Sequence, residues 1–266
     1  MPAITANGIE VYYERRGNGP RLLFFNGSGA TLETSAPLIW SFANRFDVAA
    51  HDQRGLDRTS IPPGPYAMAD YARDAAALLD HLGWERCRVI GVSFGGMVAQ
   101  EFAVTWPERV ERLALVCTSP GGAGGASYPL HELAERPAEE RAAIGMRILD
   151  TRFTPEWLAA NAGDRALVEM MAARNEAPRT NEQRRGEVEQ IEARRHHDVC
   201  DRLPAIACPT LVACGRYDGI APLVNGEWIA AHIPRAELRV YEGGHVFFLQ
   251  DSTALPEIGA FLAGDR

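Results

Sequence analysis

Lysine is absent from this chain of 266 residues, and all 27 of its basic side chains are arginine. Schiff-base chemistry and a lysine general base are therefore excluded. Long apolar runs are missing too. Nothing approaches the roughly 18 apolar residues that a membrane-crossing helix requires. The start, Met1-Pro2-Ala3-Ile4-Thr5-Ala6-Asn7-Gly8, has neither a basic region nor an apolar run, so no signal peptide is expected. Cysteine is sparse: Cys87, Cys117, Cys200, Cys208 and Cys214 are odd in number and form no Cys-x-x-Cys. Cys117 and Cys214 fall in strand-like apolar runs, where thiols act as small hydrophobes, and a reducing, cytoplasmic setting is expected. Metal-ligand spacing is lacking. His196-His197-Asp198 offers no i, i+4 pair and no third ligand, so neither a metal nor a cofactor is expected. A net charge of −8 argues against a nucleic-acid or anionic-membrane partner.

What is present is ordinary globular material, 46% apolar and 23% charged, enough for a core in one large domain or two small ones. Strand-like and helix-like segments alternate. Residues 9–14 have the polar breaks of an exposed edge strand, 21–25 and 46–50 are buried strands, and 70–82 is an amphipathic helix closed by Gly83. A strand at 88–92, a helix stopped by Pro107 and a strand at 113–117 follow. Such repeats predict an α/β fold, a mostly parallel sheet flanked by helices. Sites in these sheets lie at the C-terminal strand ends, so loops 26–29, 52–60, 93 and 117–121 are expected to converge. From 122 to 200 the rhythm breaks. Gly121-Gly122-Ala123-Gly124-Gly125 opens a polar stretch with helical pattern at 138–150, 155–162, 166–174 and 182–196. It reads as an inserted helical cap, leaving 1–121 and 201–266 as the core domain. Strands resume at 210–214 and 237–241, with helices at 226–233 and 254–262.

One stretch organises the rest. Val89, Ile90 and Val92 form a buried strand that runs directly into a helical pattern from Phe94, with Ser93 between Gly91 and Gly95. A strand turning at once into a helix strains the turn residue and leaves no room for side chains two positions either side, which calls for glycine there. The serine hydroxyl is then exposed at a helix N-terminus whose amides favour negative charge. A glycine-rich turn that merely packs tightly would look the same, so partners decide. Asp218 follows the strand at 210–214, and His245, preceded by Gly243-Gly244, follows the strand at 237–241. Serine needs a histidine to take its proton, and a carboxylate fixes the imidazole tautomer and stabilises the imidazolium. The remaining histidines (His51, His81, His131, His196, His197, His232) lack this setting and are expected to be structural or solvated.

Asn26-Gly27-Ser28-Gly29, Asp52-Gln53-Arg54-Gly55, Gly91-Val92-Ser93-Phe94-Gly95-Gly96, Gly215-Arg216-Tyr217-Asp218 and Gly243-Gly244-His245 together make the chain resemble the α/β-hydrolase superfamily over nearly its full length. The branch it resembles most contains 3-oxoadipate enol-lactonases and polyketide methyl esterases. The resemblance implies an eight-stranded sheet, a triad of Ser93, Asp218 and His245, and an oxyanion hole from the backbone amides of Ser28 and Phe94. It also implies a serine hydrolase acting on a small-molecule ester or lactone, as a monomer or homo-oligomer. Non-hydrolytic sensors, cofactor-free perhydrolases and C–C bond hydrolases of this fold are the alternatives. Phe94, Ile220, Val246 and Phe247 adjoin the triad and are expected to wall the substrate pocket, with Asn26, Gly27 and Met97 beside them. Arg184, Arg185, Arg194 and Arg195 read as a solvated helix face, with a carboxylate site as the less favoured reading. Two departures stand out. Asn26-Gly27 replaces the usual His-Gly, as in enol-lactonase-like members, and Asp57 replaces a usual glycine, which puts the local loop and the pocket wall in question.

Overall fold

The computed structural model describes residues 3–134, 136–175 and 178–265. Met1, Pro2 and Arg266, within the expected core ranges and the expected leaderless start, lie outside the described residues, as do Glu135, Glu176 and Ala177 of the expected cap. Eight strands form one sheet: β1 (Ala3–Ala6), β2 (Ile9–Arg16), β3 (Arg21–Phe25), β4 (Asp47–His51), β5 (Cys87–Val92), β6 (Val110–Val116), β7 (Thr210–Gly215) and β8 (Ala236–Tyr241). Their spatial order is β1-β2-β4-β3-β5-β6-β7-β8. The pairs β1–β2 and β2–β4 are antiparallel and the others parallel, which makes this the expected mostly parallel eight-stranded sheet.

The segment at 9–14 was expected at an edge, but β2 has β1 on one side and β4 on the other. Asn7 and Gly8, at φ 48° and 76°, make the two-residue turn whose twist folds β1 back onto β2. Of the polar residues of β2, Glu10, Arg15 and Arg16 are exposed and Glu14 is half-buried.

Period-2 alternation sends successive side chains of β3 into different layers. Leu23 and Phe25 join one core cluster and Leu22 and Phe24 the other, all fully buried. α2 (Met68–His81), α3 (Phe94–Thr105) and α9 (Leu223–His232) cover the first face. The second is covered by α1 (Ala36–Trp40) and α11 (Ala254–Ala263).

Between β6 and β7 the described residues form α4 (Leu130–Ala134), α5 (Ala138–Leu149), α6 (Pro155–Ala160), α7 (Ala162–Asn175) and α8 (Asn181–Arg195), with short 3₁₀ turns at Gly122–Gly124 and Cys200–Ala205. The two ends of this excursion are joined by an antiparallel bridge between Gly121 and Asp198, and the Val199 amide donates to the Pro120 carbonyl at 3.0 Å. A small third cluster of Leu149, Phe153, Leu167 and Val246 ties it to the loop after β8. At the start of α8, Thr180 Oγ1 accepts from the Gln183 amide at 3.1 Å and Gln183 Oε1 accepts from the Thr180 amide at 2.9 Å. Such a reciprocal cap stabilises a helix by about 1 kcal/mol. No described helix is long and apolar enough to cross a membrane.

Candidate active site

Ser93 lies between β5 and α3 at φ 57°, ψ −116°, a backbone conformation that residues with a side chain rarely adopt. The turn is held by the Ser93 amide donating to the Val116 carbonyl at 2.8 Å and by Thr118 Oγ1 donating to the Ser93 carbonyl at 2.8 Å. A Cβ on Gly91 would lie 2.3 Å from the Gly95 carbonyl oxygen, and one on Gly95 would lie 2.2 Å from that of Phe25. Neither position admits any other residue without moving backbone.

The loops after β7 and β8 bring Asp218 and His245 to Ser93. His245 Nε2 is 2.9 Å from Ser93 Oγ, and His245 Nδ1 is 2.8 Å from Asp218 Oδ2. The amides of Ile220 and Ala221 donate to Asp218 Oδ1 at 2.7 and 2.8 Å. A carboxylate can only accept here, so Nδ1 carries the hydrogen and Nε2 is free to accept from the serine hydroxyl. Asp218 and His245 are both buried, which strengthens the pairing relative to water.

The loop after β3 runs alongside. A Cβ on Gly27 would lie 3.6 Å from Ser93 Cβ. Among the described residues no partner takes the amide of Ser28 or of Phe94, the first residue of α3. Both are thus free donors on the serine's side of the sheet. Asn26 is buried, with its carbonyl accepting from Gln53 Nε2 at 2.8 Å.

The expected wall residues divide. Val246 packs in the small cluster under the helical excursion, and Ile220 is half-buried beside Asp218. Met97 is buried in the layer between α3 and the sheet. Phe247 is not brought to this constellation, because its ring stacks on Tyr241 at 5.0 Å within the opposite core layer. Asp57, at φ 47°, is exposed and turned toward Arg58, with Oδ2 3.2 Å from its Nε. Of the four arginines on α8, Arg184 and Arg195 are exposed and Arg185 donates to the carbonyls of Ile61 and Pro62, whereas Arg194 is buried.

Residues with no recognisable sequence signal support the site from α5. The His245 amide donates to the Leu149 carbonyl at 2.6 Å and the Gly219 amide to that of Ile148 at 3.0 Å. Asp150, fully buried, accepts from Arg152 and from Gln250 Nε2, while Gln250 Oε1 accepts from the Gly244 amide at 2.9 Å. These contacts join the excursion to both the aspartate loop and the histidine loop. Nearer the other end of the sheet, burial pushes the Asp52 carboxyl up to about 6 and holds the His51 imidazole down to about 4. Among the described residues, no group of three histidine, cysteine, aspartate or glutamate side chains is placed to hold a metal.

Comparison with known proteins agrees with this architecture. The chain is 32% identical over 248 residues to a poly(3-hydroxyalkanoate) depolymerase of Ectopseudomonas oleovorans, covering 92% of this chain and 85% of that one. It is 28% identical to 3-oxoadipate enol-lactonase 2 of Acinetobacter baylyi, covering 91% and 89%. The crystal structure of the enol-lactonase from Burkholderia xenovorans LB400 superposes with a TM-score of 0.81 at 22% identity, covering 99% of this chain and all of that one, which shows the shared fold. A sequence model of the family described as alpha/beta hydrolase fold matches residues 20–252, and the chain belongs to that family.

Proposed function

We propose that this protein is a serine hydrolase that cleaves a small ester or lactone through an acyl-enzyme on Ser93. The observation that carries the reading is the unbroken line from Ser93 Oγ to His245 Nε2 at 2.9 Å and from Nδ1 to Asp218 at 2.8 Å. Ser93 Oγ attacks the substrate carbonyl as His245 takes its proton, and Asp218 stabilises the imidazolium. The oxyanion that forms is received by the free amides of Ser28 and Phe94, donors already aimed before charge develops. Collapse expels the alkoxide, which His245 protonates, and in a lactone that alkoxide remains tethered to the acyl chain. Water then attacks the acyl carbon, giving its proton to His245, and Ser93 is released. No cofactor is needed for either half. Relatives named as a depolymerase of a poly(3-hydroxyalkanoate) and as an enol-lactonase support an ester or lactone substrate. The excursion between β6 and β7 serves as the cap that closes over the bound substrate.

A fluorophosphonate probe and short p-nitrophenyl esters test this directly. Wild-type protein is expected to turn over the esters and take up one equivalent of probe. Ser93→Ala should abolish labelling and lower kcat by roughly 10⁴–10⁶, and His245→Ala should cost about as much, since triad members act as a unit. Tight binding of a small molecule without hydrolysis of any activated ester would make the protein a sensor and end the hydrolase reading.

A further inference from the structure

Arg194 differs from every other arginine on α8. It is 6% exposed, and its Nε and Nη1 are buried without a hydrogen-bond partner among the described residues. A guanidinium stays charged and carries five donors in a fixed fork, so leaving it buried and unpaired is strongly unfavourable. Folds retain such a group where something else completes it.

Its position says what it faces. Residues 186, 190 and 194 recur every fourth residue and so share one helix face. Gly186 lies against the Gly55 backbone, where a Cβ would come within 2.0 Å of the carbonyl oxygen. One turn on, Gln190 Oε1 accepts from the Gly29 amide at 2.7 Å, next to the proposed oxyanion donor Ser28. Arg194 is the next turn of that face. Gln190 Nε2 and Ser28 Oγ, on the two sides of that bond, are also buried without partners among the described residues. Burial pushes Arg194 down to about 10, and the charge that resists is the carboxylate of Asp218. Asp218 is not its ion-pair partner, however, because His245, Ile220 and Ala221 already occupy both of its oxygens.

We propose that Arg194 anchors a free carboxylate on the substrate, so that the protein prefers esters or lactones that carry one over neutral analogues. This rests on the hydrolase reading above. The guanidinium fork matches the two oxygens of a carboxylate. One arginine also balances one negative charge, whereas a dianionic phosphate would leave excess charge beside Asp218.

Mono-p-nitrophenyl glutarate and its methyl ester differ only in that carboxylate. Wild type should favour the free acid in kcat/KM, and Arg194→Met should lower the acid-to-methyl-ester ratio roughly 10- to 100-fold, chiefly through KM. Arg195→Gln, at an exposed position, should keep the wild-type ratio. Butyrate should raise the melting temperature of wild type but not of Arg194→Met, and butyramide should raise neither. Arg194→Met should itself melt no lower than wild type, since it removes an unpaired buried charge. A wild-type ratio of one or below, with both esters hydrolysed, overturns the carboxylate anchor and leaves the hydrolase reading standing. Should neither ester be hydrolysed, the hydrolase reading fails and the butyrate shift decides the anchor alone. A large fall in melting temperature for Arg194→Met would make the arginine structural and also overturn it.

Discussion

Ser93 is held where an L residue costs about 1–3 kcal/mol, and the cost persists because Gly91 and Gly95 leave the surrounding backbone no other packing. Asp57 is the contrasting case. It too has positive φ, but it is solvent-exposed, and aspartate is among the side chains that tolerate this region. Glycine would relieve the backbone strain while adding freedom to the unfolded chain, two effects of opposite sign. Asp57→Gly is therefore expected to change stability by less than about 1 kcal/mol and ester turnover by less than about twofold. Melting temperature and kcat on a p-nitrophenyl ester check this, and a shift in chain-length preference would mean that the loop reaches the substrate.

At the level of elements, the end of α5, outside the sheet, touches both the aspartate loop and the histidine loop. Asp150 is the centre of that contact, since it satisfies Arg152 and the Gln250 amide that in turn fixes Gly244. Asp150→Ala would leave the partly buried Arg152 guanidinium without its acceptor and the half-buried Gln250 Nε2 with Asp164 Oδ1, at 3.1 Å, as its remaining one. The expected cost is about 2–4 kcal/mol of stability, read by urea unfolding. The histidine loop should loosen as well, lowering kcat more than it raises KM. An Asp150→Ala protein with wild-type kcat would restrict this contact to stability. None of it was legible beforehand, because carbonyls of Ile148 and Leu149 donate no signal to a sequence pattern. The short elements were also unread: α1, α4 and α10 (Phe247–Gln250) have four or five residues, too few to show a period. The β1–β2 hairpin does carry a local signal, Asn7-Gly8 between short apolar segments.

For the whole molecule, acid sensitivity follows from buried histidines. Burial holds both His51 and His197 down to about 4, while an unfolded histidine titrates near about 6.5. Between those values the unfolded chain binds the extra protons, so stability is lost as pH falls through that window. Asp52, raised to about 6, works the other way: the folded form keeps its proton between about 6 and 3.8, and its contribution grows as pH falls. Two histidines outweigh one aspartate. Unfolding free energy is expected to drop on the order of 3 kcal/mol between pH 7 and 4.5. Urea titrations at the two pH values measure it, and a flat or rising stability would mean that these imidazoles take up protons without unfolding.

The sheet and the positions of the strand-end loops were determined by local sequence. Apolar runs set β3, β5, β6 and β7, and the crossings between them force parallel order, so Ser93, Asp218 and His245 had to emerge at one edge. Glycine spacing around Ser93 was equally local, since a Cβ clash acts over a few residues. What the tertiary structure decided depends on contacts between distant segments. It withdrew Phe247 into the core by stacking it on Tyr241, and it docked α5 on two catalytic-loop candidates. It also separated one arginine from three near-identical neighbours on α8. Arg184, Arg185, Arg194 and Arg195 carry the same charge, and the packing of α8 on the loops at Gly29 and Gly55 determines which of them is buried.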